Sequence, residues 1–151
     1  MRTDKLPEGW VWCRLGEICS KPQYGWTASA RQEPKEVKLL RTTDISLGTI
    51  DWNDVPFPDR LPEDIGKYML SAGDILIARA GSVGVSIEIQ GSIPNAIFGS
   101  YLIRFRPIEP IPTRFVSLYL QSPYYWEFIT EKTAGITTPN CLLYTSPSPR
   151  D

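Results

Sequence analysis

The sequence predicts an α+β domain, with strands first and helices last. Two patterns carry that prediction. Up to residue 106 the apolar residues fall in short runs or alternations bounded by Gly, Pro, Asn and Asp, the pattern of strands. After Pro107, Pro110 and Pro112 they recur at helical spacing instead, in two segments. A third observation sets the scale: 151 residues with 42% hydrophobic and 22% charged side chains are one globular domain with its own core.

The elements follow in order. Leu6-Pro-Glu-Gly-Trp10 is a turn, and Leu15-Gly-Glu-Ile-Cys-Ser20 reads as a short helix or tight turn, with Trp10, Leu15 and Ile18 toward the core. Gln23-Tyr-Gly-Trp-Thr-Ala-Ser-Ala30 mixes aromatics with small hydroxyl residues and has no helical period. It reads equally as a segment that stacks on bases or sugars and as an edge strand with buried aromatics. Residues 31–38 are a charged surface loop. Val37-Lys-Leu-Leu-Arg41 reads as a strand ending in Thr42-Thr-Asp-Ile45, and Thr49-Ile-Asp-Trp52 as a second short strand. Asp51, Asp54, Asp59, Glu63 and Asp64 then stand against the single Arg60, with Pro56, Pro58 and Pro62 blocking regular structure. That composition predicts a solvated loop turned away from any anionic partner.

The centre of the chain is Leu70-Ser-Ala-Gly-Asp-Ile-Leu-Ile-Ala-Arg-Ala-Gly-Ser-Val-Gly84. A Gly73-Asp74 turn opens a short apolar run, residues 75–78, that reads as a buried strand. It delivers Arg79 into a small-residue loop before a second strand-like run, residues 85–89. A charged side chain at such a junction is a plausible binding device, because the strand fixes its position and the glycines admit another backbone or a phosphate. The bland alternative is a hairpin loop with a solvated arginine. Residues 96–106 read as one long strand, with Tyr101, Ile103 and Phe105 on one face and Ser100, Leu102, Arg104 and Arg106 on the other. A first helix over residues 113–121 carries Phe115, Val116, Tyr119 and Leu120. Ser122-Pro123 is an N-cap and first-turn pair for a second, over residues 124–132, with Tyr125, Phe128 and Ile129 inward and Gly135 as its cap. Ile136-Thr-Thr-Pro-Asn140 is a polar loop. Residues 141–151, with their Ser-Pro-Ser-Pro run, change character abruptly and are expected to be disordered.

Composition also narrows the chemistry. No histidine is present, which removes Ser-His and Cys-His nucleophile pairs, HExxH zinc sites and any imidazole base. Ser122-Pro-Tyr-Tyr125 invites comparison with the methyltransferase Asn-Pro-Pro-aromatic motif but lacks the second proline and any upstream cofactor loop. Gly81-Ser-Val-Gly84 lacks the lysine and spacing of a P-loop, and the aspartates of residues 51–64 are not at metal-loop spacing. The reading is of a protein that is not an enzyme and needs no cofactor or metal of its own. No apolar stretch approaches ~18 residues, so no membrane span is expected. The N-terminus lacks the apolar region of a signal peptide, and Cys13, Cys19 and Cys141 have no CxxC spacing, so they read as reduced thiols in a cytoplasmic protein. A net charge of −1 argues against nucleic-acid binding by bulk electrostatics, so any such binding needs local segregation of charge.

What remains are four loop clusters suited to base edges and phosphates: Tyr24-Gly-Trp-Thr-Ala-Ser29, Arg41-Thr-Thr-Asp44, Arg79-Ala-Gly-Ser82 and Gly135-Ile-Thr-Thr-Pro-Asn140. Arginine suits guanine, asparagine suits adenine, and Ser or Thr suits either base or phosphate.

Taken with their neighbours and in this order, these segments resemble the target recognition domain of type I restriction-modification specificity subunits. The matching pieces are Leu6-Pro-Glu-Gly-Trp10, Leu15-Gly-Glu-Ile18, Tyr24-Gly-Trp-Thr-Ala-Ser-Ala30, Leu40-Arg-Thr-Thr-Asp-Ile45 and Gly48-Thr-Ile-Asp-Trp52. They continue with Gly73-Asp-Ile-Leu-Ile-Ala-Arg-Ala-Gly81, Ser100-Tyr-Leu-Ile-Arg104, Leu120-Gln-Ser-Pro-Tyr-Tyr-Trp126 and Gly135-Ile-Thr-Thr-Pro-Asn140. The resemblance implies a curved, mostly antiparallel sheet with two C-terminal helices packed on it, over residues 1–140. It implies a non-catalytic module that reads one half of a bipartite site on double-stranded DNA. Partner modification subunits would supply S-adenosylmethionine and methyl transfer to adenine, and a restriction subunit ATP-driven translocation and cleavage. In the family the Thr-Pro-Asn loop leads on to a helical spacer, and residues 141–151 stand in its place here, so the chain reads as a truncated copy.

The candidate DNA contacts are Arg79 and Ser82, then Tyr24, Trp26, Thr27 and Ser29 on one lip and Thr137, Thr138 and Asn140 on the other. Arg41, Thr43, Arg104 and Arg106 follow as further candidates. Two alternatives stay open: the recognition segment of a fused restriction-methyltransferase, and a small β-rich module binding sugar or protein through Tyr24, Trp26 and Trp52. The second requires those aromatics to share one exposed face while the arginines scatter.

Overall fold

Ile75, Leu76, Ile77 and Ala78 are all buried, and the rest of the fold is arranged on the strand they form. The structure is a computed structural model that describes residues 5–133. Its elements are α1 (Leu15–Ile18), β1 (Gln23–Tyr24), β2 (Ala30–Arg31), β3 (Lys38–Leu40), α2 (Thr42–Ile45), β4 (Phe57–Pro58) and a 3-10 turn at Ile65–Lys67. Then come β5 (Ile75–Ala78), β6 (Ser86–Glu88), β7 (Ala96–Phe98), β8 (Leu102–Phe105), α3 (Thr113–Tyr119) and α4 (Pro123–Thr133). This is the expected α+β order.

The central sheet is antiparallel, in the order β1-β8-β5-β6, with Leu76 opposite both Arg104 and Ile87. Because successive side chains alternate, β5 feeds two cores. Ile75 and Ile77 meet Ile103, Phe105, Val116, Leu120, Tyr125 and Ile129 beneath the helices. Leu76 and Ala78 face the other way, toward Leu40, Ile45, Val55, Phe98 and Leu102. The two C-terminal helices therefore cover one face, as expected. Ser122 begins α4 as predicted, its hydroxyl accepting from the Tyr125 N–H at 3.4 Å.

Four expectations are corrected. Residues 96–106 are not one strand. They break at a turn in which the Leu102 N–H returns to the Gly99 carbonyl at 3.0 Å, so β7 pairs in parallel with β3 while β8 joins the central sheet. The alternating pattern runs through the break because both halves are buried. Residues 49–52 form turns rather than a strand; the Asp54 N–H closes on the Asp51 carbonyl at 3.0 Å. Trp10 does not enter the core. It is 55% exposed and packs on Phe115, itself 47% exposed, with ring centroids 5.8 Å apart. Finally, the prolines of the acidic loop do not block all regular structure. Its β4 pairs with β2, and Asp59 accepts from the Ser29 N–H at 2.9 Å.

Candidate nucleic-acid interface

Three of the four predicted clusters meet where β5 ends. Arg79 follows Ala78 directly. Its Nε donates to the Ser100 carbonyl at 2.6 Å, and its guanidinium carbon lies 4.8 Å from the Tyr24 ring centroid and 5.6 Å from that of Tyr101. The cation is thus clasped between two aromatic faces, an arrangement that holds it in one pose. The Ser100–Tyr101 pair was read from sequence as part of a strand, not as part of the site. The signal that could have found it is the Gly99-Ser100 interruption in an otherwise apolar run.

Gly99 is the hub of this end. Its N–H donates to the Leu40 carbonyl at 2.9 Å, beside Arg41, and it forms an isolated bridge with Trp26. Gly25 packs so closely beneath that a Cβ there would overlap the Phe98 and Gly99 carbonyls. This contact draws the residues 24–29 lip and the residues 99–101 turn together. Across the loop, Gly81 has φ +70 and lies against Thr42, 4.0 Å from the Thr42 hydroxyl to where a Cβ would stand. Ser82 and Thr43 are exposed beside it.

The lip itself is braced rather than loose. The Trp26 indole N–H donates to the Arg60 carbonyl at 3.1 Å, and its ring packs 5.6 Å from Tyr68. Arg60 lies over Trp26 at 5.4 Å and donates to the Thr27 carbonyl at 3.1 Å. Thr27 and Ser29 are exposed. Arg60 is therefore a cation at the lip that sequence reasoning had assigned to a remote loop. Arg41 is held by its own helix: Asp44 accepts from its backbone N–H at 2.8 Å and from Nη2 at 3.0 Å.

Arg104, a further candidate contact by sequence, is placed elsewhere. It is 4% exposed near the opposite end of the sheet, donating to the Met69 carbonyl at 2.7 Å, the Lys67 carbonyl at 2.8 Å and Gln23 Oε1 at 3.0 Å. Burial first, and then the charge of Arg106, push its guanidinium below the ordinary value, while Asp74 opposes both. Arg106 is likewise committed, its Nε 2.6 Å from Asp74 Oδ1. Thr137, Thr138, Asn140 and the Gly135 cap lie outside the described residues. Trp52 does not share a face with Tyr24; it lines a separate cleft against β6. Among the described residues no three His, Cys, Asp or Glu side chains gather as a metal site would require. No helix there is long and apolar enough to cross a membrane.

No protein-family model matches the chain. The type I restriction enzyme EcoEI specificity subunit of Escherichia coli is 30% identical over 142 residues, which is 87% of this chain. The EcoAI specificity subunit of the same organism is 37% identical over 75 residues, covering 49% of this chain and 13% of its own length. This chain is a homologue of type I restriction specificity subunits. It spans 24% of the EcoEI subunit. The homology extends to the fold. The HsdS subunit from Thermoanaerobacter tengcongensis superposes with a TM-score of 0.54 at 20% identity, over 80% of this chain and 29% of that one. A structure described as showing complex assembly and conformational transition of the type I R-M system gives 0.59 at 20% identity, over 93% of this chain and 33% of the other. In this specificity-subunit homologue, the end of β5 is the place where loops from three separate stretches of sequence converge.

Proposed function

We propose that this chain is a cytoplasmic, non-catalytic DNA recognition module. It reads one half of a bipartite target on double-stranded DNA for partner methyltransferase and restriction subunits. The observation that carries this reading is the convergence at the β5 end: Arg79 clasped by Tyr24 and Tyr101, with Trp26, Thr27, Ser29, Arg41, Thr43 and Ser82 on the loops around it. Such a surface offers a fixed cation, exposed hydroxyls and aromatic edges on short turns, the side-chain types that contact phosphates and base edges. Local placement of Arg41, Arg60 and Arg79 supplies the charge that a net of −1 does not. Residues 137–140, rich in the same side chains, complete the proposed second lip. Homology to specificity subunits supports the same assignment, and residues 1–140 are the proposed recognition unit.

The test is selection of bound duplexes from a randomised library, with the chain assembled with a modification subunit of a related system. Enrichment of a half-site of about three to five base pairs, the span a few loop side chains can read, is the expected result. Retention of DNA without sequence preference would overturn the reading.

A further inference from the structure

A second site lies on the other edge of the central sheet. β6 is the last strand there, and its pairing with β5 turns the Ile87 backbone groups inward and those of Ser86 and Glu88 outward. The inward set is visible at the flanks, where the Ile89 N–H donates to the Asp74 carbonyl at 2.8 Å and the Ala78 N–H to the Val85 carbonyl at 2.8 Å. No strand pairs with the outer edge among the described residues. The edge opens into a cleft of about 620 Å³, walled by Trp52 on one side and by Arg114 and Ser117 of α3 and the following Gln121 on the other. Glu88 projects into it with a carboxylate that is largely buried, and Oε1 has no hydrogen-bond donor. Its nearest cation, Arg114 Nη1, stands 3.8 Å away on a side chain 59% exposed to solvent. A buried carboxylate oxygen without a donor is costly, and among the described residues no hydrogen-bond donor meets it. Asp51 and Asp54, both exposed on the loop beside Trp52, add negative charge at the rim.

We propose that this edge docks an extended segment of a protein partner that carries an arginine or lysine. The segment adds to β6 as a further strand, bonding to the outward N–H and C=O groups of Ser86 and Glu88, as exposed sheet edges do. Its basic residue lies opposite Glu88 on the α3 side of the sheet and donates to Glu88 Oε1, while the residues before and after it pack on Ile87 and Trp52 on the other face. Arg114 swings toward solvent to make room. Glu88 pairs with Ile75, at the opposite end of β5 from Arg79, so a partner bound here leaves the DNA-facing loops uncovered.

The test uses the full chain, nitrogen-15 labelled, and capped pentapeptides of alternating threonine and valine around a central arginine, glutamine or glutamate. The central-arginine peptide is expected to shift the Ser86 and Glu88 amide signals and the Trp52 indole N–H in a saturable way. Methylating alternate peptide nitrogens should abolish this. Glu88→Gln should weaken binding about tenfold, the loss of one charge-assisted hydrogen bond, whereas Arg114→Gln should strengthen it by removing the competing cation. Equal binding of the glutamine or glutamate peptide would overturn the proposal. So would N-acetylarginine amide binding as tightly as the pentapeptide, or unmoved signals at Ser86 and Glu88. The peptide comparisons decide the matter on the unmodified chain even if a variant does not fold.

Discussion

The Tyr125 hydroxyl donates a 2.6 Å hydrogen bond to the Gly84 carbonyl, 41 residues earlier in the chain. Tyr125 is fully buried on α4, and Gly84 closes the loop that begins at Arg79. Gly84 has φ +91, and a Cβ there would stand 2.9 Å from Ile129 Cγ2 on the same helix. The second helix thus sets the far end of the loop whose near end carries the clasped arginine. Tyr125→Phe keeps the ring but strands the Gly84 carbonyl, so a loss of about 1–3 kcal/mol is expected. Urea unfolding of the two proteins measures it.

Gly25→Ala puts a methyl group into the Phe98 and Gly99 carbonyls, which belong to backbone and have little room to move. Overpacking of this kind costs about 1–3 kcal/mol or more. Because the clash separates the residues 24–29 lip from the residues 99–101 turn, affinity for selected DNA should fall by more than the stability loss accounts for. Denaturation and DNA titration of the same sample test both parts.

Substitutions at Arg79 and Arg104 should separate DNA binding from folding. Arg79→Ala should weaken DNA binding and reduce its salt dependence, with modest loss of stability, if Arg79 meets a phosphate. A changed preferred sequence would make it a base reader instead. Arg104→Ala removes one cation from beside the buried Asp74 and takes a donor from the Met69 and Lys67 carbonyls and from Gln23 Oε1. A destabilisation of about 3–5 kcal/mol is expected, visible in thermal melts without DNA.

Cys19 gives a pH signature. Burial, with the neighbouring Cys13 adding to it, pushes its thiol up to about 12. The folded state therefore favours the neutral thiol. That contribution is fully present below the unfolded thiol's ordinary value of 9.0 and is lost as pH rises from there toward about 12. Within that window the unfolded state sheds the proton first, so this group lowers stability by about 1.4 kcal/mol per pH unit. Cys19→Ala should remove that share of the decline, read as the difference between two stability curves. At pH 8, iodoacetamide should modify Cys13 well before Cys19.

How much of this was legible beforehand depended on what each residue's neighbours were. The Gly73-Asp74 turn, the buried β5 and the Ser122 cap are local events, set by residues a few positions apart, and the sequence displays them. The partition of residues 96–106 between two sheets is set by Leu40 and Gly25, which lie far away in sequence, and no local pattern marks it. Alternation placed Arg104 on the face opposite Ile103, but that face is the second core, and the carbonyls of Lys67 and Met69 are what let a guanidinium sit there. Trp10 and Phe115 are apolar enough for the core, yet they satisfy each other at the surface. The candidate site was legible as loop chemistry. Its geometry depended on contacts between loops, so Ser100 and Tyr101 entered only with the structure.

Asp74 sits at the Ile75 end of β5, where Arg106 meets it at 2.6 Å and Arg104 at 3.6 Å, with both the carboxylate and Arg104 out of solvent. The loops at the Ala78 end present their polar groups to water. Ionic strength therefore acts unequally on the two ends of one strand. Mobile ions screen exposed charges over about 8–10 Å near physiological salt, whereas buried pairs feel them far less. A rise in salt would strip a polyanion from the Arg79 end while the Asp74 clamp keeps the sheet in register. Release of the bound molecule and survival of the folded chain then become separable events, governed by the same variable at different concentrations.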